Sequence, residues 1–118
     1  GRKRIMHELA VTKGLLKICL EEGEKHKIKK IRKINIKVGE LTDLLPACIE
    51  YYFNIVSKDT IAENTKINVE KIPVEIKCNE CGYSGVLGKN NYVCPKCKGI
   101  VYEITKGKEF YLDTMEVD

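Results

Sequence analysis

Residues 78–97 read CNECGYSGVLGKNNYVCPKC, two CxxC pairs separated by twelve residues. A gap of two lets both sulfurs of a pair point at one ion, and twelve residues suffice for a hairpin that turns the pairs face to face. Zinc favours a closed tetrahedron of thiolates. The spacing therefore predicts one structural zinc on Cys78, Cys81, Cys94 and Cys97, with no coordination position left open for catalysis. A redox dithiol is the competing reading, and two pairs argue against it where one would not. Gly82 directly after Cys81 and Gly99 two residues after Cys97 are expected to supply the permissive backbone of the turns. Four thiolates leave the cluster anionic, which backbone N–H groups and Lys77, Lys96 and Lys98 are expected to offset.

The apolar residues of this module are few: Tyr83, Val86, Leu87, Tyr92, Val93, Ile100 and Tyr102. That is too small a core to fold unaided, so metal binding should supply much of its folding free energy.

Outward from the module, the pattern is that of an α+β domain interrupted by a zinc ribbon. A first helix is expected from Leu9 to about Gly23, with Val11, Leu15, Ile18, Cys19 and Glu22 at helical spacing, Leu16 and Leu20 widening the stripe, and Gly23 as the stop. Ile34, Ile36 and Val38 alternate with Lys33, Asn35 and Lys37 as in a strand with one buried face, ended by Gly39. A second helix follows, with Asp43 as expected N-cap, Pro46 in the first turn, and Leu45, Cys48, Ile49, Tyr52, Ile55 and Val56 as its stripe. Ile67 and Val69 alternate again, and the apolar phase slips by one at Ile72, which predicts a bulge or bend near Lys71 to Pro73. A last strand, Phe110 to Val117, closes the chain. The expectation is a small three-stranded sheet packed with two helices (residues 6–76 plus 107–118) and an inserted zinc-ribbon domain (residues 77–106).

Composition narrows the function classes. With 118 residues, six cysteines, no signal-like apolar start and no run long enough to span a membrane, the paired cysteines read as metal ligands in a reducing cytoplasm. The net charge of +4 is mild, and its denser patch from Lys25 to Lys33 reads as a solvated face. Cys19 and Cys48 lie on apolar stripes and read as small buried hydrophobes. No nucleophile motif and no phosphate-cradling glycine loop is present, so an enzyme is not expected. Gly1 to Ile5 reads as an N-terminal extension or expression remnant ahead of Met6.

His26 sits in a lysine-rich connection and reads as an exposed bystander. His7 stands in Met6-His7-Glu8, expected just ahead of the first helix on flexible backbone. If Met6 is the amino terminus, its amine, nearby deprotonated amides and the imidazole form a nitrogen-rich, near-planar set that suits Ni(II) or Cu(II).

Here the whole pattern resembles the HypA/HybF family of hydrogenase maturation nickel metallochaperones. The residues that carry the resemblance run from Met6 to about Val117: Met6-His7-Glu8 leading into a helix, Val38-Gly39-Glu40-Leu41 closing a strand, a second amphipathic helix, the two CxxC pairs with Cys94-Pro95, and a strand after Gly107. The resemblance implies a nickel-binding α+β domain with a structural Zn(II) ribbon and Ni(II) as transported cargo. The cargo would be delivered to the precursor of a [NiFe]-hydrogenase large subunit, with the nucleotide-hydrolysing protein HypB as partner. By position, His7 would bind nickel, Met6 would offer its amine, and Glu8 a backbone amide. With Gly1 to Ile5 attached, that amine is held in a peptide bond. Some relatives recruit a further histidine near the zinc module, whereas this module has none. The chain is expected to be a monomer or weak homodimer, with neither membrane nor nucleic acid as partner.

The alternative reading is a nucleic-acid-binding zinc ribbon. The basic balance and the lysines near Tyr83 and Tyr92 motivate it.

Overall fold

The computed structural model describes residues 2–88 and 92–118, with side chains from Glu8 onward. Its elements are α1 (Arg2–Lys25), β1 (Ile31–Gly39), a 3-10 turn (Glu40–Thr42), α2 (Pro46–Val56), β2 (Lys66–Ile72), β3 (Glu75–Cys78), β4 (Ser84–Val86), β5 (Tyr102–Lys106) and β6 (Phe110–Val117). They form two three-stranded sheets of order β2-β1-β6 and β4-β3-β5. The chain divides into two compact units, residues 1–36, 44–70 and 111–118, and residues 37–43 and 71–110. Two helices and small sheets make the expected α+β class.

In the first unit, α1 packs on α2. Along α1 the buried line is Glu8, Thr12, Leu15, Cys19 and Gly23, at steps of four and three. This corrects the expected stripe, since Ile18 is 47% exposed. Gly23 does not stop the helix. A Cβ there would collide with the Cδ1 of Ile61, so the glycine serves a close approach inside the helix. Termination comes four residues later, where Lys27 turns left-handed with φ 55°. The N–H of Ile28 then donates to the Gly23 carbonyl at 2.8 Å and that of Lys27 to Glu24 at 3.4 Å, which satisfies carbonyls the helix end would otherwise orphan.

The start of α2 also departs from expectation. Asp43 is not its N-cap: it closes the 3-10 turn with φ 60°, its N–H donating to Glu40. Leu45 occupies the cap position without a side-chain hydrogen bond, and Pro46 opens the helix. Proline holds the preceding residue extended and presets its own φ, so the helix starts there without a polar cap. The buried side chains of α2 are Ile49 and Phe53, one turn apart. Leu45 and Ile55 are 44% and 47% exposed, which removes them from the expected stripe, while Leu44 is buried ahead of the helix.

Ile31, Ile34 and Ile36 of β1 contribute to the core with Ala62 and Ile67. On the other face Asn35 receives a bond from Asn68 at 3.0 Å and donates to Thr114 at 2.9 Å, a polar rung linking β2, β1 and β6. His26 lies just past α1, exposed, with its Nε2 3.2 Å from Glu22.

The slip of apolar phase near Lys71 to Pro73 marks a change of sheet rather than a bulge in one strand. β2 ends at Ile72 and β3 begins at Glu75 in the other sheet, because Pro73 has no N–H to continue a ladder. Among the described residues, no helix is long and apolar enough to cross a membrane.

Candidate metal centre

The second unit is built on β3. It pairs antiparallel with β4, Ile76 opposite Gly85, and with β5, Cys78 opposite Tyr102 and Ile76 opposite Ile104. Its core is Val74, Ile76, Cys78, Leu87 and Cys94, with Cys81, Tyr83 and Tyr102 packed against it. Of the apolar residues expected to form the module's own core, only Leu87 is buried, and Val86, Tyr92 and Ile100 are 50%, 57% and 75% exposed. Two of the five core residues are cysteines, so the centre of this unit is the cysteine cluster itself.

β3 delivers Cys78 to the cluster, and the two CxxC segments then fold alike. In the first, the N–H of Gly82 donates to the Cys78 carbonyl at 3.1 Å and the N–H of Cys78 to the Tyr83 carbonyl at 2.8 Å. In the second, the N–H of Lys98 donates to the Cys94 carbonyl at 2.8 Å and the N–H of Cys94 to the Gly99 carbonyl at 2.9 Å. Both turns need a left-handed residue four places after the first cysteine, and these are Gly82 with φ 77° and Lys98 with φ 65°. The expected pairing of Gly82 with Gly99 is therefore corrected: Lys98 turns the second segment. At Gly99 an added Cβ would stand 3.3 Å from Sγ of Cys97, a tight approach, and 2.6 Å from Oε2 of the exposed Glu80, whose flexible side chain can move away.

The four sulfurs all lie within 4.8 Å of one another. Sγ of Cys78 is 3.7 Å from that of Cys97, and Sγ of Cys81 is 3.6 Å from that of Cys94. A regular tetrahedron with metal–sulfur bonds near 2.3 Å places its sulfurs about 3.8 Å apart, whereas a disulfide needs about 2.05 Å. The six cysteines are free thiols. The geometry fits a four-thiolate metal site and leaves no vertex for a catalytic water.

The backbone prepares the thiols unequally. Burial pushes the Cys94 thiol up, but N–H groups of Cys97 and Lys96 and the neighbouring cysteines bring it down to about 7. At Cys97 the N–H of Gly99 favours the thiolate, yet burial and the bonds with Cys78, Cys81 and Cys94 outweigh it and the thiol rises to about 12. Cys81 moves upward as well: the N–H of Tyr83 pulls it down, and burial with Cys94 and Cys78 pulls it further up. A divalent ion held by the four sulfurs would remove this conflict by taking the place of the thiol protons. Of the lysines expected to balance the charge, Lys98 donates instead to the Pro95 carbonyl at 3.3 Å. The Tyr83 hydroxyl donates to the Val86 carbonyl at 3.0 Å, which ties that ring to the module.

The other expected site meets the structure only in part. The helical backbone runs through Met6 and His7 back to Arg2, so these residues stand inside α1 and not ahead of it. Arg, Lys, Met, Glu and Leu are all strong helix formers, which carries the helix through this stretch. The side chains of Met6 and His7 lie outside the described residues. Glu8 is described, and its side chain is 1% exposed, turned inward beside Thr12, whose hydroxyl donates to the Glu8 carbonyl at 2.6 Å.

A family profile described as "Hydrogenase/urease nickel incorporation, metallochaperone, hypA" matches residues 6–117. The chain belongs to the HypA family. The hydrogenase maturation factor HypA of Caldanaerobacter subterraneus subsp. tengcongensis is 39% identical over 116 residues, covering 96% of this chain and all of that protein. The HypA of Dehalococcoides mccartyi is 37% identical, covering 96% of this chain and 95% of its own. Among solved structures, the solution structure of the Ni metallochaperone HypA from Helicobacter pylori superimposes with a TM-score of 0.68 at 23% identity, over 93% of this chain and 96% of that one. The HypA match spans both compact units and begins at Met6, the first residue of the Met-His-Glu segment.

Sequence reasoning missed two contributors to the second unit. Glu80, between the first two cysteines, was unremarked although a carboxylate there faces the other CxxC turn. Gly39 and Gly107 approach each other at the backbone, and the sequence reading names both, Gly39 at the end of a strand and Gly107 before the last one, without joining them.

Proposed function

We infer that this chain is a nickel metallochaperone of hydrogenase maturation, carrying Ni(II) to the precursor of a [NiFe]-hydrogenase large subunit and catalysing no reaction of its own. The observation that carries the reading is the HypA family match over residues 6–117. The four-sulfur geometry supports the division of metals that the reading needs. Zinc held by Cys78, Cys81, Cys94 and Cys97 is closed on all sides and stays, whereas nickel held by a few nitrogen ligands can be passed on.

The nickel ligands are proposed to be His7 through its imidazole, Met6 through its amine in a chain that starts there, and the backbone amide of Glu8. The inward, 1% exposed Glu8 side chain supports an anchoring role for that residue, since its burial turns this part of α1 toward the core while the ligands beside it bind. Residues 6–76 with 107–118 are proposed as the nickel-binding domain, and residues 77–106, which lie inside the second unit, as the zinc ribbon. HypB is the proposed partner, and the cytoplasm the proposed compartment.

The test is nickel titration, by calorimetry, of a chain beginning at Met6, with and without His7→Ala. Binding is expected in the first and loss of it in the second, and equal binding by both would remove His7 from the site. Lowering the pH should weaken binding in the Met6-starting chain, because protons compete for the amine, the amides and the imidazole.

A further inference from the structure

The four cysteines are not equally exposed to water. Cys78 and Cys94 are buried, Cys81 is half-buried and Cys97 is exposed. An ion arriving from solvent therefore meets the Cys97 vertex first. Beside that vertex lies Gly99, and the point where its Cβ would stand is 3.3 Å from Sγ of Cys97 and 2.6 Å from Oε2 of Glu80. The carboxylate of the first CxxC segment and the outer sulfur of the second thus flank the same bare stretch of backbone at Gly99. The carboxylate uses room that any side chain on residue 99 would fill.

We propose that Glu80 is a transient carboxylate ligand at the outer vertex, which captures a divalent ion from solvent and hands it to the four sulfurs. This rests on the four-thiolate reading of the cluster. Carboxylate oxygen binds a hydrated divalent ion readily and holds it less tightly than thiolate holds zinc, so it suits the first contact and not the final one. On loading, an oxygen of Glu80 replaces one water on the ion. Sγ of Cys78, Cys81 and Cys94 then bind in place of further waters, each thiol giving its proton to solvent. Last, Cys97 gives up its proton to water, its sulfur bonds to the ion, and the bond to Glu80 breaks.

The experiment follows Co(II) uptake by the metal-free full chain in a stopped-flow instrument, reading the thiolate charge-transfer and d–d bands. Glu80→Gln keeps the shape and removes the charge. Glu103→Gln, on exposed β5 of the same unit, controls for the general field. Glu80→Gln is expected to slow uptake on the order of tenfold, the low end of what local electrostatic focusing contributes to association. The final spectrum and the one-to-one stoichiometry should be unchanged, and Glu103→Gln should match the parent chain. Uptake by Glu80→Gln at the parent rate overturns the proposal, as does equal slowing by Glu103→Gln. An altered final spectrum in Glu80→Gln would make it a standing ligand and overturn it too. A parent chain that develops no four-thiolate bands refutes the metal site itself, and the proposal with it.

Discussion

The backbone carbonyl of Gly107 stands where a side chain on Gly39 would begin. Gly39 closes β1 in an ordinary extended conformation with φ −67°, so its smallness answers a steric need and not a conformational one. The contact is held by hydrogen bonds on both sides: Gly39 N–H to Glu109 at 2.7 Å and Leu41 N–H to Gly107 at 2.8 Å. Gly107 itself has φ 118°, with Val74 Cα 3.0 Å from the position of an added Cβ, so neither partner can retreat cheaply.

Gly39→Ala should therefore lower stability by about 2 kcal/mol or more, the cost of forcing atoms against backbone that cannot yield. Gly14→Ala is the counter-case. It lies in α1 with nothing within 4 Å of an added Cβ, and should stabilise by about 0.5–1 kcal/mol through helix propensity. Urea unfolding of both variants checks the pair, and a neutral Gly39→Ala would mean that the close approach relaxes.

Cys19 is fully buried on the inner line of α1, and burial pushes its thiol up to about 11 despite a favourable backbone hydrogen bond. A group whose ionisation is raised on folding contributes stability that is intact below its unfolded value near 9 and lost as pH rises toward 11. The first unit should accordingly weaken between about pH 9 and 11, and Cys19→Ala should flatten that slope while lowering stability at neutral pH. Thermal melts across alkaline pH decide it: an unchanged slope in Cys19→Ala assigns the loss to other groups.

Metal removal should act on one unit and spare the other. In the second unit the core consists of Val74, Ile76, Cys78, Leu87 and Cys94, two of them sulfur donors, whereas the first unit buries Leu15, Ile34, Ile36, Ile49 and Phe53, none of them a metal-binding side chain. A chelator should strip hydrogen-exchange protection from the amides of Cys78, Leu87 and Cys94 and leave those of Ile34, Ile36 and Phe53 protected. Acidification should release the metal in the same way, since each thiolate must bind a proton to leave. Equal loss of protection in both units would show that they fold as one.

Some features were legible because spacing is their cause. Two CxxC pairs twelve residues apart allow few arrangements of four sulfurs, and the tetrahedral edge near 3.7 Å is what that spacing builds. Alternation at Ile34, Ile36 and Val38 likewise implies a strand, and the order of elements followed from such patterns. The helix faces were read less well. Ile18 and Ile55 satisfy helical spacing as well as their neighbours do, and only packing decides which of several apolar residues turn inward.

What the sequence by itself determined is the four-cysteine cluster, the α+β class and the family, since ligand spacing, periodicity and motif order are all local to the chain. What only the tertiary structure decided is why particular glycines are glycines and where carboxylates end up. Gly23 makes room for Ile61, Gly39 for Gly107, and Gly99 for the sulfur of Cys97. Each is a contact between residues that are remote in the chain or joined only through the fold of a turn. No residue reveals its steric neighbour until the chain has brought the two together.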